Sequence, residues 1–293
     1  MRRPFVISLV CLAAACALLL WAFNPVPPAP APAQTRYALL IQSDTGAFLM
    51  QLRKGMQEAA AAQGAQLTVQ TLGASPAEQA ALLAEEAPSA VLLLLAEPAP
   101  MLAALAEAGL PAVVVGQSLP GQVCVASDDR GAGAALMARA QVLAAGGDVL
   151  LLADAEDPRA VTRAEGARLE APCAVLSWTE GMVVPGDYAV YVGASERATR
   201  ALAQAKAQGT LPARASVLGV DTGETRVRDL ESGLVAVLAM DAPYAMGYVA
   251  LEKAAVLARR GAVPASYACP APLIDGENMY LHEHVKLVFP LLQ

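Results

Sequence analysis

From Arg36 onward, short apolar runs alternate with amphipathic stretches, and this alternation leaves few architectures open. Residues 37–41 read as a buried parallel strand. Residues 48–63 put Leu49, Leu52, Met56 and Ala59 on one helical face, and Gly64 ends that helix. A strand at 66–70 follows, and Ser75-Pro76 opens a helix with an N-cap and a first-turn proline. The first series continues with a strand at 90–95, a helix at 100–108, strands at 111–115 and 124–126, and a helix from Asp128-Asp129 to about Ala144. A second series repeats it: strand 148–152, helix 159–169, strands 173–176 and 188–192, helix 195–208 closed by Gly209, strand 216–220, helix 224–231, strand 234–238 and a long helix from Pro243 to about Arg260. Alternation of this kind implies right-handed crossovers and parallel sheets covered on both faces. Two series imply two lobes, with ligand bound beyond the carboxyl ends of the strands in a cleft between them.

The N-terminus sets the expected compartment. Arg2 and Arg3 precede an uncharged run from Phe5 to Trp21 and Phe23. About 19 residues at ~1.5 Å each reach about 28 Å, close to the ~30 Å hydrocarbon core. The arginines belong on the cytoplasmic side, so the rest of the chain is expected outside. Two readings stand: a signal peptide cut after Ala31-Pro32-Ala33, leaving a secreted or periplasmic protein, or an uncleaved anchor. The length of the run and the prolines at 25, 27, 28, 30 and 32 favour the anchor. A lipoprotein site at Cys16 lacks the usual opening Leu. Residues 24–34 are an extended Pro/Ala-rich spacer. The predicted division is 1–34 for anchor and spacer, 35–126 plus 242–268 for lobe 1, and 127–241 plus 269–293 for lobe 2.

Composition removes whole classes of function. Past residue 33 the chain carries 18 basic against 27 acidic residues, a surface that repels phosphate, so nucleic-acid binding is not expected. Cys124, Cys173 and Cys269 are odd in number and read as small buried hydrophobes. The two histidines, His282 and His284, flank Glu283 near the end. They read as part of a solvated edge strand, with no third metal ligand nearby. Gly131-Ala132-Gly133 lacks the third glycine of a dinucleotide fingerprint. No Gly-x-Ser-x-Gly elbow is present, so neither enzyme chemistry nor a cofactor is expected.

The stretch Phe48-Leu-Met-Gln-Leu-Arg-Lys-Gly-Met-Gln-Glu-Ala-Ala60 resembles the first helix of type I periplasmic sugar-binding proteins, the ribose- and galactose-binding proteins and relatives of the lactose-repressor core. Further matches keep the family's order: Pro111-Ala-Val-Val-Val115, Val125-Ala-Ser-Asp-Asp129, Arg163-Ala-Glu-Gly166, Leu218-Gly-Val-Asp221 and Ile274-Asp-Gly-Glu-Asn-Met-Tyr280. The resemblance spans roughly 36–293. It implies two Rossmann-like α/β lobes joined by a three-stranded hinge that close on a sugar-like small solute. It also implies an ABC permease or a membrane sensor as partner. A membrane segment in place of DNA-binding helices sets aside the repressor branch.

Carried over residue by residue, the resemblance puts Phe48 where an aromatic stacks on the sugar face and Arg163 where a guanidinium forks onto hydroxyls. Asp221 falls where a carboxylate accepts from hydroxyls, Asp129 at the hinge, and Trp178 where some relatives supply a second ring. Flat apolar faces and charged donors suit sugars. Each residue also has a plainer role: Phe48 in the core, Arg163 paired with Glu165 or Asp157, Asp221 and Asp129 as helix caps, Trp178 covering a lobe edge. Other positions depart from the pattern. Gly116-Gln117-Ser118 replaces an acidic–basic pair, Gly46 a polar contact, and Ala194 and Met240 stand where Asn and Gln often bind. The stretch between Trp178 and Tyr188 is too short for the usual helix. These losses keep open a second reading, a degenerate module that docks on another membrane protein.

Overall fold

The computed structural model describes residues 34–42, 46–73, 75–221, 227–259, 263–282 and 284–285. The apolar run expected as an anchor, and its cleavage site, lie outside these residues. Among the described residues no helix is long and apolar enough to cross a membrane.

From Thr35 on, the chain forms two six-stranded sheets. The first comprises β1 (Arg36–Ile41), β2 (Gln66–Thr71), β3 (Ala90–Leu94), β4 (Ala112–Val115), β5 (Cys124–Ser127) and β11 (Tyr267–Cys269), in the order β2-β1-β3-β4-β5-β11. The second comprises β6 (Val149–Asp154), β7 (Ala174–Trp178), β8 (Val190–Gly193), β9 (Ser216–Asp221), β10 (Val237–Met240) and β12 (Leu273–Asp275), in the order β7-β6-β8-β9-β10-β12. The two orders are the same pattern used twice. Every pairing is parallel except β10 with β12, which is antiparallel because the chain re-enters the second sheet from the hinge side. Central strands such as β1, β3 and β6 are near-continuous apolar runs because helices cover both their faces. The edge strand β2 alternates in exposure instead.

In lobe 1, α1 (Ala47–Ala62) and α8 (Pro243–Leu257) cover one face of the sheet. Their Leu52, Met56, Met246 and Leu251 meet Leu39, Ile41 and Leu92 there. The other face carries α2 (Pro76–Glu86) and α3 (Ala99–Glu107) through Ala80, Leu83, Met101 and Leu105. The start of α2 is fixed by a capping box: Ser75 accepts from the Glu78 N–H while the Glu78 carboxylate accepts from the Ser75 N–H.

In lobe 2, α4 (Asp129–Ala144) and α5 (Pro158–Glu170) cover one face. The other face carries α6 (Glu196–Ala207) and the short α7 (Val227–Glu231). The crossover from β7 to β8 contains no helix, as the short sequence spacing predicts.

Glycine sets how closely the paired helices approach. A Cβ on Gly133 of α4 would stand 1.9 Å from the Arg163 carbonyl oxygen, and one on Gly166 of α5 would stand 2.0 Å from that of Arg130. Gly55 and Gly247 play the same part between α1 and α8. These contacts draw each helix pair backbone to backbone.

Three connections join the lobes: β5 to α4, β10 to α8, and β11 to β12. They lie side by side, because the Asp128 N–H donates to the Cys269 carbonyl (2.8 Å) and the Met240 N–H to that of Pro272 (3.0 Å). The Ser127 hydroxyl also donates to the Asp241 carboxylate at 2.7 Å. The sequence reading is corrected at two places. The strand expected over 234–238 is β10, from Val237 to Met240, and His282 and His284 sit in a helical turn rather than an edge strand. The His284 Nδ1 lies 3.0 Å from the Asn278 carbonyl oxygen.

Candidate functional site

A recess of about 150 Å³ opens at the carboxyl ends of β9 and β10, beside the hinge. Its chemistry comes from Asp157, Arg159, Arg163, Glu196, Asp221 and Asp241, over an apolar floor that includes Val220 and Ala239. Parallel sheets place their ligand sites here because no helix blocks the carboxyl ends of the strands.

Two arginines on one face of α5 organise the site. Arg159 and Arg163 are four residues apart, so they project together near the start of that helix. The Arg159 Nε donates to both carboxylate oxygens of Asp129 (3.0 and 3.1 Å), and its Nη2 to both oxygens of Asp241 (2.9 and 3.0 Å). One guanidinium thereby ties together two of the three hinge connections. Arg163 is 6% exposed. It donates to the Ala194 carbonyl at 2.9 Å and pairs with Asp129 at 2.7 Å. Its Nε–H has no acceptor among the described residues. A buried charged donor without a partner is costly, so this N–H is the group with most to gain from an incoming oxygen.

Burial lowers the affinity of both arginines for their protons, and the neighbouring Arg159 charge pushes Arg163 further below the usual value. For Arg159 burial is outweighed by Asp241 and Asp129, so its charge is held more firmly than usual.

Beside the recess, Asp154 at the end of β6 is fully buried. It accepts from Arg197 Nη2 (2.7 Å) and Nε (3.0 Å), from the Ser195 hydroxyl (2.8 Å) and from the Glu156 N–H (3.1 Å). Burial pushes this carboxyl up. The Arg197, Ser195 and Glu156 hydrogen bonds outweigh it and hold the group below the usual carboxylate range. This cluster fixes the starts of α5 and α6, which wall the site.

On lobe 1, two glutamine amides hold the corresponding ends of β1, β3 and β4. The Gln117 amide donates to the Leu95 carbonyl at 2.6 Å, and the Gln42 side chain accepts from the Ala96 N–H at 3.2 Å. Phe48 stands half-buried in the first turn of α1, against the lobe 1 core. That helix opens without a side-chain cap at Gly46, whose φ of 110° suits glycine.

Of the residues singled out from sequence, the structure brings Asp129, Arg163 and Asp221 together at one site. Phe48 lies on the other lobe at a strand-end turn. Trp178 is not among the residues that line the recess. It is 2% exposed and belongs to the lobe 2 core with Leu202, Tyr191 and Ala198. The strand β7 that carries it lies at the sheet edge, away from the hinge strands β9 and β10. Arg159 and Asp241 were missed. The signals for them were the four-residue spacing from Arg163 and the position directly after the end of β10. Of the two ion-pair partners expected for Arg163, Asp157 is the one it meets, at 3.9 Å, whereas Glu165 pairs with Arg130 at 2.7 Å.

Comparison with solved structures gives a consistent answer. An ABC transporter solute-binding protein from Agrobacterium vitis, bound with α-D-tagatopyranose, superposes with a TM-score of 0.66 at 19% identity, over 87% of this chain and 99% of its own. AraP, an arabinose-binding protein from Geobacillus stearothermophilus, gives 0.70 at 14% identity, over 84% and 98%. This chain has the type I periplasmic binding protein fold. The XylFII–LytSN complex also contains a chain that matches, with a TM-score of 0.70 at 14% identity over 84% and 99%. No family model matches the sequence, and no curated protein matches it. The likeness therefore rests on strand order and helix placement, which the periplasmic binding proteins share with this chain at low identity.

Proposed function

We propose that this protein is an extracytoplasmic solute-binding protein that closes its two lobes on a small polar ligand, a sugar or related polyol. It would serve ABC-type uptake or sensing and carry out no catalysis. The observation that carries the reading is the hinge-side recess, where a buried arginine keeps one N–H without an acceptor beside fixed carboxylates. Hydroxyl groups match such a site, because each both donates and accepts. The fold neighbours support it: the Agrobacterium vitis protein was solved with tagatose, and AraP is an arabinose-binding protein.

In this reading Arg163 and Asp221 contact the solute directly, Asp129 holds Arg163 in place, and Phe48 stacks on the solute from lobe 1. The lobes divide near 35–126 plus 242–268 and 127–241 plus 269–293, with Ser127 and Cys269 each completing a strand of the first sheet. Residues 1–34 hold the protein to the outer face of the cell membrane. A permease or sensor receives the closed form, and the XylFII–LytSN complex is a precedent among fold neighbours for a second protein bound to this architecture.

A thermal-shift screen of pentoses, hexoses, polyols and nucleosides tests the proposal. A solute at ~100 times its Kd adds roughly 2.7 kcal/mol of stability. Arg163→Ala is expected to abolish the shift. A broad panel without a single shift would overturn the capture role and leave a module that binds another membrane protein.

A further inference from the structure

A cavity separate from the hinge recess lies on lobe 2 between α6 and the β7–β8 crossover. It measures about 570 Å³, within the range of small-molecule sites. Its walls are the outer side of α6, with Arg197, Arg200, Ala201, Gln204 and Ala205, and the helix-free β7–β8 crossover, with Met182, Val183 and Val184. Trp178 forms part of the wall.

The repeated topology shows what is unusual here. In lobe 1 the crossover between β2 and β3 supplies α2, which packs beside α3 through Ala80 and Leu83. In lobe 2 the equivalent crossover supplies only residues 179–189, so the flank of α6 has no helix beside it. The loop is nevertheless fixed at its far end. The Tyr191 hydroxyl accepts from the Asp187 and Tyr188 N–H groups (3.0 and 3.2 Å) and donates to the Pro185 carbonyl (3.1 Å). Its near end presents apolar groups to solvent, with Val183 88% exposed and Met182 43%.

A second observation points to an occupant. The Trp178 side chain is almost wholly buried, yet its indole N–H has no acceptor among the described residues. Indole only donates, so the missing partner is an oxygen acceptor. That acceptor is not an anion. Arg197 is already held by Asp154 and Glu156, and Arg200 by Glu196, while Glu180 adds a further carboxylate to the wall. Four carboxylates against two guanidiniums disfavour a negative ligand. We infer that this cavity is a second binding site, for an uncharged amphiphile whose apolar body lies on Met182, Val183, Ala201 and Ala205 and whose carbonyl or hydroxyl oxygen accepts from Trp178. Occupation of this site does not require the hinge recess, so it stands or falls apart from solute capture.

The full-length protein is titrated into prodan, a neutral naphthalene ketone whose emission shifts to the blue on leaving water. Saturable binding is expected, with anilinonaphthalene sulfonate, the anionic counterpart, binding more weakly. Trp178→Phe keeps an aromatic ring, though a smaller one, and removes the donor, and is expected to weaken prodan by about fivefold, the worth of one hydrogen bond. Ala205→Phe, on the half-buried outer side of α6, fills the cavity and is expected to abolish binding while circular dichroism stays native. The proposal is overturned if prodan does not saturate, if neither variant changes its affinity, or if the sulfonate binds more tightly.

Discussion

Replacing Gly133 by alanine tests whether the packing of α4 on α5 holds the hinge site together. The new Cβ would meet the Arg163 carbonyl oxygen at 1.9 Å and its carbon at 2.6 Å. Reaching an ordinary contact near 3.4 Å requires the helices to part by about 1.5 Å. The obstacle is backbone on both sides, so no side-chain rotation relieves it. Overpacking of this kind costs up to about 3 kcal/mol, and the better helix propensity of alanine returns about 1 kcal/mol. The net loss is about 2 kcal/mol, read as a lower urea midpoint with an unchanged slope. The same shift moves Arg163 from Asp129 (2.7 Å) and from the Ala194 carbonyl (2.9 Å), so the solute binding proposed for this site is expected to fall with it. Gly276→Ala is the control, because a Cβ there meets nothing within 4 Å. A Gly133→Ala protein as stable as the Gly276→Ala control would refute the close crossing and the positioning of Arg163 that depends on it.

Three further outcomes are expected. Arg159→Ala leaves Asp129 and Asp241 facing each other across the hinge and costs about 1–3 kcal/mol after discounting for its partial exposure; adding Asp241→Asn recovers part of that loss, measured as a double-mutant cycle. Asp154 has a depressed carboxyl, so its contribution to stability is complete above the ordinary value of 3.8 and is lost as pH falls below it. Asp154→Asn therefore flattens the acid limb of a stability–pH profile. Cys269 is pushed up to about 11, by burial first and by Asp241 second. Its contribution is intact below 9.0 and is lost as pH climbs toward 11, and Cys269→Ala removes that alkaline loss from the melting profile.

Much of the fold was legible because parallel strands buried on both faces must be apolar runs. Residues 37–41, 90–95 and 216–220 announce β1, β3 and β9 in this way. Short strands were harder. Residues 234–238 look as apolar as the segment that pairs, and only the register with β9 selects Val237 to Met240. The His282 region misled because period-two alternation over three residues fits a helical turn equally well. At the site, Arg163, Asp129 and Asp221 were visible through order and residue type. Arg159 and Asp241 were not, because their partners lie on separate connections, 82 residues apart for that pair. Trp178 lies on the edge strand β7 and away from the recess, where, with no helix in the crossover, the large ring fills the lobe 2 interior.

The interleaved path of the chain bears on synthesis. Strands β6 to β10 leave the ribosome as one unbroken block, whereas lobe 1 needs α8 against α1 and β11 beside β5, and both are translated after that block. The portion made first must therefore wait, its apolar surface partly uncovered, until the later half has emerged, which makes it the natural client for chaperones during synthesis.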